Sequence, residues 1–419
     1  MRKAEKIKKD LKFRTQYISF FLYLYYGCLP LFAQQTINDS SMSSANKYLE
    51  MDISDIINKI TKKSYMLPND TIFLNSKGPF ITPLLIPGYA MVTGFLGEIT
   101  CNISFYTLRN DTAKISTIST TDLYSQYKQF MNIINSNIWT NNNKFNLLGD
   151  WRYYVFPTNT FGLGSKSSLS DATKIDYSHL RIYEVIMTKI SNNLFIGAGY
   201  NLDYYWNIKE TKDSANEVTD MDRYGFNSTS TSSGLTANIQ FDGRLNANNP
   251  ENGTYANLQV RDNATIIGSN SNWQSLVLDC RHYFEVSKVN HNVIALWSYD
   301  WLTLNGKPPY NDLPTAGMDS YNNTARGYVE GQYKGLNFLY AEAEYRFRVL
   351  NSGFIGGTLF TNVSSFSDYP SNKFTAIDPG YGVGLRIKMN KKSNVNLCFD
   401  YGIGVGGSRG FVFNMGEVF

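Results

Sequence analysis

The chain is predicted to fold as an all-β, transmembrane antiparallel barrel of about sixteen strands, preceded by one short amphipathic helix. Three observations predict it. A basic segment at residues 2–14 leads into an apolar run, later segments alternate apolar and polar residues with a period of two, and the connections between them alternate short and long.

The first segment carries Arg2, Lys3, Lys6, Lys8, Lys9, Lys12 and Arg14 against Glu5 and Asp10. An aromatic, apolar run follows from Tyr17 to Phe32, then Ala33 before Gln34-Gln35. A basic region, an apolar region and a small residue at the cut describe a secretory signal peptide over residues 1–33. As a membrane anchor the run is short for a hydrocarbon core of ~30 Å, and Gly27 and Pro30 interrupt it. Cys28 is a poor lipoprotein site, because Tyr25-Tyr26-Gly27 precedes it and apolar residues continue beyond it. The whole chain is +4. The leader alone carries about +5, which leaves about −1 for the rest. The basic pI of 8.6 therefore belongs to the leader, and nothing suggests a nucleic-acid partner. Cys101, Cys280 and Cys398 are widely spaced, fit no metal pattern and read as small packing residues.

With 30 Tyr, 26 Phe and only 18% charged residues, the composition fits short strands that show apolar residues to lipid and polar ones to a lumen. Beyond the leader no run of 18 apolar residues occurs, so no helix is expected to span a membrane.

Residues 34–78 form a segment before the first strand. Leu49, Ile53, Ile56, Ile57 and Ile60 recur at helical spacing and predict one amphipathic helix over 46–62, at the periplasmic mouth or on the membrane surface. From residue 79 to 419 the period becomes two. Leu235, Ala237, Ile239 and Phe241 alternate with Thr236, Asn238, Gln240, Asp242 and Arg244. Ala256, Leu258 and Val260 oppose Tyr255, Asn257, Gln259 and Arg261. Leu339, Ala341, Ala343, Tyr345 and Phe347 oppose Tyr340, Glu342, Glu344, Arg346 and Arg348, and Val395, Leu397, Phe399 and Tyr401 oppose Asn396, Cys398 and Asp400. A soluble sandwich would turn the charged face to water; a membrane barrel turns it to the lumen.

Connection lengths separate the two. Short turns at 141–143, 191–193, 351–353 and 391–393 alternate with long polar stretches at 158–177, 207–231 and 304–336. Turns on one side and loops on the other are a barrel's arrangement. Strands are placed near 79–88, 96–107, 110–120, 127–139, 145–157, 178–190, 194–207, 233–245, 253–262, 273–285, 290–303, 337–350, 353–364, 378–390, 393–404 and 409–419.

The C-terminal third carries Gly382-Val383-Gly384-Leu385-Arg386, Phe399-Asp400-Tyr401-Gly402, and Gly410-Phe411-Val412-Phe413-Asn414-Met415-Gly416-Glu417-Val418-Phe419. These resemble the closing strands of BamA/TamA-type outer-membrane proteins, the bacterial surface antigen family. Ala325-Arg326-Gly327-Tyr328 resembles that family's R-G-F/Y loop motif, in the loop that has eleven strands before it and five after. Asp242-x-Arg244 followed by Pro250 and Gly253, and Gly88-Tyr89 leading into Gly94, extend the resemblance over 79–419. Because family members usually carry periplasmic domains and only 34–78 precede the barrel, the chain looks like a short, barrel-only form.

The resemblance implies a non-enzymatic role, in membrane insertion or translocation of proteins or in perturbing lipid at the outer membrane. It makes Arg326, Gly327 and Tyr328 a loop anchor, with Glu342, Glu344 and the more distant Asp400 as lumenal acceptors. Arg326 is expected to pair with Glu344, with Glu342 beside it, since a guanidinium in a lumen needs a carboxylate. The family's further acid on the next strand is missing from Leu359-Phe360-Thr361-Asn362-Val363, so a weaker or shifted anchor is expected. Asp242 and Arg244 form a lumenal pair, and Phe411, Phe413 and Phe419 resemble the signal by which barrels are recognised for assembly. Phe411, Phe413, Met415 and Phe419 are read on one phase, with Phe419 closing the seam between first and last strands. Expected partners are outer-membrane lipid and either unfolded outer-membrane proteins or a second barrel; no cofactor or metal is expected. A passive channel is the alternative. A hydrolase is the least favoured reading, since only His179, His282 and His291 are present and neither Gly-x-Ser-x-Gly nor His-Glu-x-x-His occurs.

Overall fold

The computed structural model describes residues 50–61, 79–90, 92–107, 116–140, 143–212, 217–287, 290–317, 319, 323–391 and 394–419. The leader at 1–33, the remainder of the segment to 49 and residues 62–78 lie outside them. Helix α1 spans Ile53–Thr61 within the expected 46–62; residues 50–52 are not helical, and 46–49 and 62 lie outside the described residues. Asp52 sets its start: its carboxylate accepts from the Ser54 and Asp55 amides at 3.0 and 3.3 Å, while its own amide donates to Asp55 Oδ2 at 2.9 Å. Such reciprocal bonds satisfy amides that a helix leaves open at its first turn.

The strands follow in order. The first nine are β1 (Phe80–Ala90), β2 (Gly94–Phe105), β3 (Ser116–Ser125), β4 (Phe130–Trp139), β5 (Phe145–Val155), the short β6 (Thr158–Thr160), β7 (Thr173–Ser191), β8 (Leu194–Thr211) and β9 (Ser230–Asp242). Helix α2 (Asp220–Tyr224) interrupts the loop between β8 and β9. Then come β10 (Gly253–Asn263), β11 (Trp273–Ser287), β12 (Asn292–Gly306), β13 (Phe338–Arg348) and β14 (Ile355–Asp368). The short β15 (Lys373–Phe374), β16 (Asp378–Asn390), β17 (Val395–Gly404) and β18 (Arg409–Met415) complete the set. With the two short strands set aside, sixteen described strands pair antiparallel, each with its neighbour in sequence. β1 and β18 approach each other, but among the described residues no backbone ladder joins them.

Most strand positions agree with the alternation; β7 begins at Thr173 rather than 178, β8 and β14 run on to Thr211 and Asp368 rather than 207 and 364, and β3 and β18 also depart. β3 is described over Ser116–Ser125 and runs past the expected end near 120, because its sequence STISTTDLYS has no apolar alternation to mark it; residues 110–115 lie outside the described residues. β18 stops at Met415, where Gly416 takes φ +93 and leaves the extended region.

The surface has reversed polarity for a soluble protein. Ile239, Val260, Tyr345, Leu359, Val383, Leu385 and Phe413 are exposed, while Arg261, Arg281, Glu342, Glu344, Arg346, Arg386 and Asp400 are buried. A sandwich would expose the charged phase; here that phase lines an interior, and the outer band suits lipid. Connections 192–193, 349–354 and 391–394 are short and share one end, whereas 156–172, 212–229 and 307–337 are long and share the other. By length the short end is periplasmic. There α1 is docked: Arg348 Nη2 donates to Glu50 Oε1 at 2.6 Å, Lys391 Nζ to Asp55 Oδ2 at 2.7 Å, and the Met51 amide to the Ser352 carbonyl at 2.9 Å.

Leu258 pairs with Ile239 and Leu278 on the outer face, while the next residue, Gln259, bonds Asn238 Oδ1 inside at 2.9 Å. Leu258→Arg is expected to destabilise the barrel by about 2–4 kcal/mol near the midplane, and Gln259→Arg to be mild. Urea titration in lipid vesicles checks this; equal effects would refute the facing.

Candidate functional site

The long connection between β12 and β13, residues 307–337, folds into the lumen and is held at two places. Near its start, Asp312 Oδ2 accepts from Ser232 Oγ at 2.5 Å, the Tyr310 hydroxyl meets Thr160 Oγ1 at 2.6 Å, and the Tyr224 hydroxyl of α2 donates to the Pro308 carbonyl at 2.7 Å. Deeper in, it delivers Arg326, 2% exposed, to the opposite wall.

There Arg326 Nη2 donates to Glu342 and to Glu344, and Nη1 to Asp400 Oδ2 at 2.6 Å. The guanidinium lies over the Phe360 ring, 3.8 Å from its centroid. Glu342 and Glu344 stand two residues apart on β13 and so share its inner face. Asp400 comes from β17, with β14 and β16 between it and β13. It reaches Arg326 because β16 lies between with Gly380, Gly382 and Gly384 on its inner phase; a side chain at Gly384 would collide with Asp400. The anchor takes in Glu342 as well as Glu344, and it also includes Asp400, which was expected to lie more distant. Asn362, in the stretch that lacks the acid the resemblance would supply, donates to the Arg326 carbonyl at 2.9 Å, and Asp400 supplies the third carboxylate.

The rest of the motif fixes the backbone. Gly327 has φ +104 and packs against the main chain of Gly402 and Ile403, an approach that excludes a Cβ on either glycine. The Tyr328 hydroxyl donates to the Pro379 carbonyl at 2.6 Å and accepts from the Val405 amide at 3.2 Å. Two further arginines extend the cluster. Arg346 Nε bonds Glu344 at 2.7 Å, and Arg386 bonds Asp400 at 2.5 Å and Glu417 at 2.8 Å.

Glu417 introduces the largest departure from the sequence reading. Phe411 and Phe413 lie on the outer face, 51% and 44% exposed, but Phe419 is only 2% exposed and does not share their phase. Continued as a strand, residue 417 would carry its carboxylate on the phase of Phe411, Phe413 and Met415, towards lipid. The chain instead bends at Gly416, and Glu417 finds Arg386 and Asn396 inside. Phe419 then stacks on Trp297 at 5.0 Å, its main-chain oxygen accepts from Arg346 at 3.0 Å, and Asn323 of the loop donates to the Val418 carbonyl at 2.9 Å. Phe419 thus packs in the lumen and does not close the seam.

Asp242 and Arg244 do pair, twice at 2.9 Å, with Arg244 over the Tyr255 ring. A second lumenal cluster escaped the sequence reading. Asp203 accepts from His179 Nε2 at 3.0 Å, Arg181 Nε at 3.2 Å, the Tyr183 hydroxyl at 2.6 Å and Arg261 Nη1 at 2.7 Å. His179 also stacks on Tyr205 at 4.0 Å, so its ring serves the wall. The inward phase of Arg181 and Arg261 was readable; their convergence on Asp203 needs the register of four strands. His282 bonds Thr254 Oγ1 at 2.7 Å. His291, in the turn before β12, lies 3.3 Å from both Glu251 and Glu285. The Glu251 hydrogen bond holds its pKa above the ordinary value. Among the described residues these three could hold a metal ion, their donor atoms lying within 4.8 Å of one another; no motif signals them, since Glu251 comes from the β9–β10 connection and the other two from the end of β11 and the turn after it. Cys101, Cys280 and Cys398 form no disulfide with one another, and the Cys398 thiol donates to the Gly416 carbonyl at 3.2 Å.

Removing Arg326 leaves three buried carboxylates facing one another. Arg326→Ala is expected to cost about 3–5 kcal/mol and to open the 307–337 loop to protease added to intact cells; unchanged cleavage and melting would overturn the anchor. Phe419→Ala is expected to cost about 3–5 kcal/mol by emptying a packed site, well above Phe411→Ala on the outer face. Equal urea midpoints for these two variants would refute the inward position.

Among curated proteins none matches the chain. Among solved structures it is similar to BamA from Haemophilus ducreyi lacking POTRA domains 1–3, with 12% identity, 90% of this chain and 82% of that one covered, and a TM-score of 0.53. It is also similar to CdiB from Acinetobacter baumannii (12% identity, 91% and 73% covered, TM-score 0.51) and CdiB from Escherichia coli (9%, 83% and 60%, 0.52). At such identities these likenesses establish the fold alone. The Omp85 superfamily domain matches residues 115–419, and with that match over most of its length the chain belongs to the Omp85 superfamily, whose barrels lie in the outer membrane.

Proposed function

We propose that the chain, exported with its leader removed, assists insertion or translocation of proteins at the outer membrane without acting as an enzyme. The observation that carries this reading is the seam between β1 and β18, which approach each other without a ladder among the described residues. Unpaired strand edges are costly in lipid and seek partners, so such a seam offers an incoming strand a template. Its partners on this reading are outer-membrane lipid and unfolded outer-membrane proteins. The passive-channel alternative is weakened by the loop and C-terminal residues, which fill the lumen around Arg326 and Phe419.

The test is reconstitution into proteoliposomes, with insertion of a urea-unfolded client barrel, lipid scrambling and conductance read on one preparation. Faster client insertion than in empty vesicles, with little steady conductance, is expected. Large stable conductance without faster insertion would overturn the proposal in favour of a channel.

A further inference from the structure

At the periplasmic mouth, three side chains that neither the Arg326 nor the Asp203 cluster uses converge on one point. Glu285 follows Arg281 and Tyr283 on the inner phase of β11, and His291 stands in the turn before β12. A bulge in the β11–β12 pairing falls between Glu285 and Ser287, and His291 itself takes φ +50. The hairpin thus leaves its regular ladder where the two side chains meet, as bulges that re-aim a side chain do. Glu251 comes in from the neighbouring β9–β10 connection.

Their spacing is that of ligands rather than of an ion pair. His291 Nδ1 lies 3.3 Å from Glu251 Oε2 and 3.3 Å from Glu285 Oε1. A charged N–H···O bond contracts to about 2.7–2.9 Å, and the single proton on Nδ1 serves one of the two oxygens. Around a tetrahedral ion with bonds of about 2.0–2.2 Å, neighbouring donor atoms stand about 3.3–3.6 Å apart. Both contacts match that edge. The third edge is within 4.8 Å, and it closes by rotation of carboxylate side chains that keep 30% (Glu251) and 16% (Glu285) of their surface exposed. The same exposure gives an ion its way in.

The charge agrees. Two carboxylates beside a neutral imidazole leave two negative charges, which a divalent cation cancels. The basic groups whose fields reach the site are held elsewhere: Arg348 pairs with Glu50 at 2.6 Å, and Lys388 donates to Asn394. The donor set selects the metal. Calcium and magnesium take oxygen ligands, whereas a nitrogen beside two oxygens suits zinc and the neighbouring divalent transition metals. Glu251 is steadied on its other oxygen, where Asn394 Nδ2 donates to Oε1 at 3.4 Å, as ligating carboxylates usually are. The β9–β10 connection also receives the Glu417 amide on the Asn248 carbonyl at 2.8 Å. An ion here therefore joins the β11–β12 turn to a connection that already reaches the bend after β18.

We propose that Glu251, Glu285 and His291 bind one divalent transition-metal cation of the zinc class, with a fourth position left to water. The site does not rest on the insertion role proposed above. The test is isothermal titration with zinc, and with magnesium for comparison, of the purified full chain in detergent, stripped with EDTA and carrying no polyhistidine tag. Heat-modifiable mobility on gels reports that each variant is folded. One zinc per chain and no saturable magnesium binding are expected. Glu251→Gln and His291→Asn are each expected to weaken zinc binding at least about tenfold, the loss that follows from removing even a group that only orients a ligand. Asparagine tolerates the left-handed backbone at 291, and Glu251→Gln serves if His291→Asn does not fold. His282→Asn, outside the site, is expected to leave zinc affinity as it is. Absence of stoichiometric zinc binding would overturn the proposal, as would magnesium binding as tightly. Zinc affinity unchanged in the folded Glu251 and His291 variants, or lost in His282→Asn instead, would mean an adventitious ion only.

Discussion

A guanidinium enclosed by three carboxylates is the interaction on which the interior of this barrel depends. Arg326 cannot shed its proton, and in an interior without bulk water its charge needs opposite charge close by. Glu342, Glu344 and Asp400 would repel one another without it. Each side of the cluster is therefore unacceptable alone, and the loop has one low-energy place to put its arginine. That requirement explains features which otherwise look unrelated. The inner phase of β16 is stripped to glycine so that Asp400 can reach past it, and Gly327 meets Gly402 main chain to main chain so that the loop can come close enough.

The same charges tie the end of β18 to the loop. Arg386 bonds Asp400, which bonds Arg326, and it also bonds Glu417. Arg346 bonds Glu344, another Arg326 acceptor, and the main chain of Phe419. Loop and C-terminal residues touch directly through Asn323 and Val418. Double use of two arginines makes the position of the loop and the bend after β18 parts of one network, in which low dielectric strengthens the bonds and raises the cost of leaving one open.

The fold was legible because barrel strands must alternate. Leu258 beside Gln259, or Glu342 and Glu344 alternating with Ala341, Ala343 and Tyr345, can be read without structure, and turn and loop lengths order the strands. Where alternation fails, so did the reading: the Ser/Thr-rich β3 offered no phase from which to place its ends. The site was legible in part for the same reason. Arg326 with Glu342 and Glu344 follows from one motif and one strand. Asp400 looks distant in sequence, because the opening through β16 exists only once Gly384 is set in register opposite Asp400. The cluster around Asp203 draws on β7, β8 and β10, and no single segment announces it.

Phe419 lies inside because the period of two ends at Gly416. Three aromatic or apolar residues at alternate positions invited a fourth, yet the position between, Glu417, carries a charge on the lipid phase. A charge on a lipid-facing position near the end of a strand costs less than at the midplane, but two buried arginines within reach favour turning it inward. Gly416 makes the turn feasible, since its φ of +93 is one that other residues rarely adopt. Once Glu417 turns in, Val418 and Phe419 must follow, and the apolar surface around Trp297 and Tyr283 receives the ring. One misplaced charge thus moves an aromatic from the outside of the barrel to its interior.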